Sequence, residues 1–217
     1  MVIRTHFASK PALGTMGALM SWRARGLMAR VAPLLPRGAA ILDVGCGTGH
    51  NGECLRFLGL GPVTEVDIVN FKVVGPPPTL FDGCTLPFAD GRFDAVTLVY
   101  VLQYARAPSV LLKEASRVCR GALIVIQTVC EGSAGPRFHR LNELISRLGF
   151  YAARSVRAIR PVRCPLRPRH EFSREALLGT ARQAGLIPTL LRAERHLPLF
   201  PLTRMTCRLE PLKPVGP

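Results

Sequence analysis

The sequence has no acidic residue among its first 42 positions, which carry six Lys or Arg. It has no apolar run of the roughly 18 to 20 residues that a helix needs to span a bilayer, so no transmembrane helix is expected. No two of its seven cysteines (46, 54, 84, 119, 130, 164 and 207) show the Cys-x-x-Cys or Cys/His spacing of tetrahedral zinc sites, and no metal is expected. Their odd number, with no secretory apolar segment ahead of them, fits a reduced cytoplasmic setting better than a disulfide framework. Aromatics make up only 6% of the chain, a low density for stacking nucleobases. There is no internal repeat, and no low-complexity tract beyond Pro76 to Pro78.

What is present describes a globular chain. Its 217 residues are 48% hydrophobic and 20% charged, enough for one sizeable domain and too few for two full ones; the 20 Gly and 19 Pro imply many turns. The net charge of +15 is unevenly placed: residues 43 to 131 carry seven basic against nine acidic side chains, and residues 132 to 217 sixteen against five. A neutral middle is flanked by two basic ends. Solubility alone accounts for such charge, and so does an anionic partner: a phosphorylated substrate, a membrane surface or a nucleic acid.

The middle is organised around residues 40 to 52. An apolar run, Ala40, Ile41 and Leu42, reads as a buried strand; Asp43 follows, then Gly45, Gly47 and Gly49, and helix-compatible sequence resumes near Asn51. Glycines at every second position allow positive φ and close approach of a ligand to the main chain, which makes the loop a nucleotide cradle at a helix N-terminus. Gly47-x-Gly49-x-x-Gly52 also fits a dinucleotide fingerprint. Asp43 argues otherwise: a carboxylate at the head of the loop repels a pyrophosphate and attracts a ligand bearing an ammonium and a sulfonium.

Along the chain, a loose start leads into one or two helices between about Leu13 and Leu35, with Leu13, Met16, Leu19, Met20, Trp22, Leu27, Met28 and Val31 as their apolar positions, ending before Pro33 or Pro36. An acid-free, Arg-containing N-terminus also suits an organellar transit peptide. A helix is expected from Asn51 to Leu60, a strand over Val63–Asp67, a loop over 70–78 and a short strand ending near Asp82. Next come a strand over Ala95–Tyr100, a helix over Pro108–Cys119 and a strand over Ala122–Thr128. The rest reads as a helix at 136–148, an Arg-rich, proline-broken stretch to His170, a helix over Ser173–Ala184, and strands at Ile187–Ala193 and Thr203–Leu209. Strands alternating with helices at this spacing indicate parallel crossover units and a doubly wound α/β sheet.

With these residues in place, the chain resembles the class I S-adenosylmethionine-dependent methyltransferases, of the small-molecule type with a Leu-Pro-Phe turn. The family's acid-x-Gly-x-Gly-x-Gly motif matches Asp43, Gly45, Gly47 and Gly49. Its ribose carboxylate matches Asp67 at the end of the second strand. Its adenine-binding Asp matches Asp82, four residues before Leu86-Pro87-Phe88, with Gly83 supplying a backbone N–H. Phe93-Asp94-Ala95-Val96 matches the entry to the fourth strand. The resemblance covers about residues 38 to 209 and implies a mostly parallel, Rossmann-like sheet of seven strands with a C-terminal antiparallel hairpin. It also implies an N-terminal lid helix within residues 1–37, a catalytic domain over 38–210 with an Arg-rich insertion at about 136–170, and a tail at 211–217. The cofactor implied is S-adenosyl-L-methionine, contacted by Asp43, Gly45, Cys46, Gly47, Gly49, Asp67, Ile68, Asp82, Gly83 and Tyr100. Asp94 is expected to be structural, capping backbone N–H groups.

Two departures bear on chemistry and on turns. The His pair that often follows the fourth strand is replaced by Gln103 and Tyr104, and the Pro-Gly-Gly turn before the fifth strand is shortened to Arg120-Gly121-Ala122. Methyl transfer from a sulfonium needs alignment and water exclusion, and a base only when the nucleophile holds its proton tightly. Tyr100, Gln103, Tyr104, Gln127 and His139 stand near the strand ends; His139 and Tyr104 are chosen as the catalytic candidates. Amino methylation of nucleobases calls for an Asn/Asp-Pro-Pro-aromatic motif where this chain has Val101-Leu102-Gln103-Tyr104. Carbon methylation of pyrimidines needs a nucleophilic Cys, and Cys130, the one suitably placed, reads better as a structural thiol. The segment Arg137–Arg174 holds ten Arg against Glu143 and Glu171; Arg154, Arg157 and Arg160 would share a helix face. With the N-terminal helix it is expected to form a positively charged substrate lid or a surface in peripheral contact with anionic membrane. A small, hydrophobic or anionic metabolite is the expected acceptor. RNA is a second, less favoured reading, and a non-catalytic binding or assembly module of the same fold a third.

Overall fold

The computed structural model describes residues 14–132, 135, 137, 138, 140, 141, 144, 169–195 and 202–211. His139, Arg154, Arg157, Arg160, the first thirteen residues and residues 212–217 of the C-terminal tail lie outside the described residues.

Among the described residues seven strands form one sheet: β1 (Ile41–Val44), β2 (Val63–Asp67), β3 (Thr79–Leu80), β4 (Phe93–Val99), β5 (Cys119–Cys130), β6 (Leu186–Arg195) and β7 (Leu202–Pro211). Their order is β3-β2-β1-β4-β5-β7-β6. The first five are parallel, β7 is antiparallel to β5, and β6 closes the edge antiparallel to β7. This is the doubly wound sheet that the alternating pattern indicates, with the Rossmann-like order and terminal hairpin that the resemblance implies.

Each central strand is apolar on both faces, as a sheet covered on both sides requires. One face, with Leu42, Val44, Val96, Leu98, Leu123 and Val125, packs against the helices α3 (Pro108–Val118) and α4 (Arg174–Gln183). The other, with Ile41, Ala95, Val99, Ile124 and Ile126, packs against α1 (Gly14–Val31) and α2 (His50–Phe57). In α3, Leu111, Leu112, Ala115 and Val118 recur at helical spacing and are all buried. In α4, the Ser173 hydroxyl accepts the Ala176 N–H at 3.1 Å and caps the first turn.

Several boundaries differ from those read from the sequence. The helix expected over 51–60 is α2, which starts one residue earlier and stops at Phe57, because the Gly59 N–H turns back to the Arg56 carbonyl. The long N-terminal helix stops at Val31 and tightens into a 3₁₀ turn over Ala32–Leu34, with Pro33 inside it. Trp22, expected on the apolar side of that helix, is 72% exposed. Tyr100, expected as the last residue of the fourth strand, lies beyond it with φ 58°. Arg120-Gly121-Ala122, read as a turn, is part of β5, which shifts register against β4 between Phe93 and Ala95. Gly121 is required there: a Cβ would lie 2.3 Å from the Asp94 carbonyl oxygen.

Candidate cofactor site

Parallel strands in this order leave a crevice where the connections diverge to opposite faces, between the carboxyl ends of β1 and β4. The glycine loop and Tyr100 flank that crevice. Gly45 and Cys46 donate to the Val66 carbonyl at 2.8 and 3.1 Å, which anchors the loop to β2. Gly45 (φ 71°), Gly47 (φ 53°) and Gly49 (φ 83°) all take the left-handed conformation. At Gly45 the backbone also runs close to the connection after β4, since a Cβ would lie 2.5 Å from Val101 Cγ2. At Gly47 a Cβ would meet nothing within 4 Å. The loop is thus bare toward the crevice and tight toward the protein.

Gly45→Ala is therefore expected to destabilise the fold by about 1–3 kcal/mol, combining left-handed strain with the clash on Val101. Adding Val101→Ala should recover only the clash. Chemical denaturation of the single and double variants checks this; complete recovery would mean that φ strain contributes nothing.

The carboxylates that are 15 to 39 residues apart in sequence come into one row. Following the strand order, Asp82 and Gly83 come after β3, Asp67 ends β2, and Asp43 lies in β1, all at the carboxyl edge. Their states differ. Asp43 is buried; its Oδ1 accepts the Thr97 hydroxyl at 2.9 Å, and its Oδ2 has no hydrogen-bond partner among the described residues. Burial pushes its pKa up to about 7; the Thr97 bond opposes this, and the Glu65 and Asp67 charges add to it. Asp67 accepts the Gly47 N–H at 2.8 Å on Oδ2 and the Ile68 N–H at 2.7 Å on Oδ1. Burial raises its pKa while those N–H bonds lower it. Asp82 is exposed, and its Oδ1 accepts the Thr85 and Cys84 N–H groups at 2.7 and 2.8 Å, which hold its pKa below the usual range. Ile68, partly exposed, stands next to Gly83, where a Cβ would be 3.2 Å from its Cγ2. Cys46 is buried and its thiol pKa is raised, chiefly by burial, so it is a neutral wall of the loop.

At the β4 side, the Tyr100 N–H donates to the Ile126 carbonyl at 2.8 Å, and the Arg23 guanidinium of α1 lies 5.1 Å from its ring centroid. Tyr104 is half-buried in the turn after β4, its N–H bonded to the Val101 carbonyl. Gln103, where the family has a His, is buried, and its Oε1 accepts Gln127 Nε2 at 2.8 Å. His170 arrives beside it from the segment before α4: the Gln103 carbonyl accepts the Arg169 and His170 N–H groups, and His170 Nε2 lies 3.0 Å from the Ala105 carbonyl oxygen.

The loop glycines alone do not separate a dinucleotide from other nucleotides, but Gly52 does not face the crevice at all. A Cβ there would lie 2.5 Å from Glu65 Oε1, so Gly52 serves helix–strand packing. Glu65, Lys72 and Arg56 form an ion-pair cluster under the loop that sequence reading missed, although an acid in the middle of the strand Val63-Thr64-Glu65-Val66-Asp67 was the available signal. Asp94 is structural as expected: its Oδ2 accepts the Ala40 N–H at 2.9 Å and its Oδ1 the Arg120 Nε–H at 2.7 Å.

Comparison with known proteins settles the family. The family model described as a methyltransferase domain matches residues 18–191. The chain belongs to the class I S-adenosylmethionine-dependent methyltransferases. The cofactor of this family is S-adenosylmethionine. A demethylmenaquinone methyltransferase of Renibacterium salmoninarum is 33% identical over 129 residues, covering 56% of this chain and 53% of that protein. A tRNA U34 carboxymethyltransferase of Alcanivorax borkumensis is 34% identical over 127 residues, covering 51% and 39%. The chain thus spans about half the length or less of the curated relatives it matches. A SAM-dependent methyltransferase of Aquifex aeolicus shares the fold at a TM-score of 0.55 and 16% identity, covering 88% of this chain and 92% of that one.

Proposed function

We propose that this methyltransferase acts on a small, hydrophobic or anionic metabolite. The observation that carries the cofactor half of the reading is the buried, unpartnered Oδ2 of Asp43 beside a glycine loop that is open at Gly47. A buried acceptor without a donor fits a ligand that brings its own cationic N–H groups. The residues fit S-adenosylmethionine in the following way. Asp43 and the backbone of Gly45, Cys46, Gly47 and Gly49 receive its amino-acid end, Asp67 the ribose hydroxyls, and Asp82 with the Gly83 N–H the adenine edge. Ile68 and Tyr100 form the apolar walls. Bound there, the cofactor supplies an activated methyl group on a sulfonium.

The protein's own part is to align the acceptor and exclude water at the carboxyl ends of β4 and β5. Tyr104, on the turn after β4, is the described residue proposed to orient the acceptor or take its proton; His139 is the other residue proposed. Cys130 is a poor nucleophile, since burial pushes its thiol up to about 11, which disfavours carbon methylation of pyrimidines. The quinone named for one curated relative is hydrophobic and fits this acceptor class, while the tRNA named for the other keeps RNA as the second reading.

The test is transfer from methyl-labelled cofactor to a panel of lipid-soluble phenols and quinols, small carboxylates, and tRNA transcripts. Label is expected in the small molecules, unchanged in Cys130→Ser. Label in tRNA, or transfer abolished in Cys130→Ser, would overturn the acceptor class.

A further inference from the structure

The outward side of α1 is built for a surface. Its buried residues Ala24, Leu27, Met28 and Val31 occupy one side. At about 100° per residue, the middle of the opposite side falls close to Trp22. The neighbours of Trp22 on that side are small and exposed: Ala18, Gly26 and Ala29. Arg25 flanks it on one side, Arg23 and Arg30 on the other. The helix contains no Asp or Glu. Among the described residues, Glu194 of β6 pairs with Arg30 of this helix at 3.4 Å and is shared with Arg192 at 3.1 Å and Arg204 at 2.7 Å, so around Glu194 three guanidiniums face one carboxylate and the charge stays positive.

An indole 72% exposed on a shelf of Ala and Gly contributes little to the fold. Trp is the side chain that gains most at a boundary where one end is apolar and the other wet, and arginines on either side supply partners for phosphates at the same depth. We propose that the outer face of α1 rests on an anionic lipid bilayer, with Trp22 entering the headgroup region and the flanking arginines meeting lipid phosphates. The contact is peripheral: among the described residues no helix is long and apolar enough to cross a membrane. RNA would satisfy the charge but not the geometry, because a single indole on a convex helix gives no series of stacking platforms. Arg23 joins this face to the crevice, since it also stacks on Tyr100. The docking does not depend on the identity of the acceptor.

Trp22 is the sole tryptophan of the chain, so intrinsic fluorescence reports on α1 alone. With phosphatidylglycerol-containing vesicles we expect a blue shift and quenching by brominated lipid, both reduced at high salt and absent with pure phosphatidylcholine. Cosedimentation should weaken about tenfold in Trp22→Ala and about thirtyfold in Arg25→Glu, the latter a change of two charges at the surface. Both variants should bind S-adenosylmethionine like the unaltered protein by calorimetry, which shows that they fold. No shift with anionic vesicles, equal binding to neutral ones, or undiminished binding by both variants would overturn the docking. So would poly(U) that produces the shift and displaces the vesicles. Loss of cofactor binding in every form would count against the proposed function and leave the vesicle result standing on its own.

Discussion

Asp43→Asn is expected to weaken S-adenosylmethionine binding about a hundredfold and to remove a pH dependence that the unaltered protein shows below neutrality. The carboxyl is buried, with the Glu65 and Asp67 charges near it and Thr97 donating to it, and its pKa stands at about 7 against the usual 3.8. Near pH 7 the ligand-free protein therefore holds it about half protonated. A cationic ligand at Oδ2 favours the ionised form, so affinity should rise roughly fiftyfold from pH 5 to pH 7 and then level off. Stability of the ligand-free protein runs the other way. Because folding raises this pKa, the folded state binds the proton more tightly than the unfolded chain. The stabilisation is full below pH about 4 and is lost by about pH 7, a change of roughly 4 kcal/mol at most. Asn lacks both slopes. Calorimetric titration and thermal melts from pH 5 to 8 check the pair of effects, and an affinity that is flat between pH 5 and 7 in the unaltered protein would rule out Asp43 as the cation's partner.

The row that Asp43 belongs to was legible because its members are local events in the chain. A strand ending in an acid, a run of alternating glycines and a Leu-Pro-Phe turn each leave a mark on a few consecutive residues, and the strand expected over Val63–Asp67 has those bounds in the structure. The sheet itself follows from alternation of apolar strands and helices, which short-range periodicity carries. What was not legible depends on partners far apart. Trp22 is apolar like Leu27 and Met28, but at about 100° per residue it stands roughly 120–140° from them around α1, on the side turned away from the sheet, and is left in water. Arg120-Gly121-Ala122 looks like a turn until Asp94 is placed beside it and β5 runs through with a shifted register. Gly52 looks like a nucleotide glycine until Glu65 is seen filling its space.

Glu65→Ala is expected to cost about 3–5 kcal/mol, more than any substitution on the rim of the crevice, although Glu65 is not placed to touch the ligand. Its side chain is 2% exposed and that of its partner Lys72 is 3% exposed. Arg56 of α2 also pairs with the same oxygen and donates to the Val63 carbonyl at 2.9 Å. Removing the carboxylate leaves a buried ammonium without a counter-charge, which must lose its proton or leave. Lys72 cannot leave alone, because the Val73 and Val74 N–H groups that follow it bond to the Thr48 carbonyl at 3.0 and 3.3 Å and pack its chain against Gly49. The glycine loop should therefore loosen with it, so cofactor affinity falls in step with stability rather than independently of it. Lys72→Met keeps most of the packing and leaves Glu65 paired with Arg56, so its cost should be smaller, about 1–3 kcal/mol. The double variant Glu65→Leu with Lys72→Met should recover much of the loss, because a buried pair replaced by apolar side chains no longer carries its desolvation penalty. Urea unfolding of these variants and of Glu65→Leu alone measures the coupling. A cost below 1 kcal/mol for Glu65→Ala, or costs in the single variants that simply add, would mean that the loop is held by its backbone bonds alone.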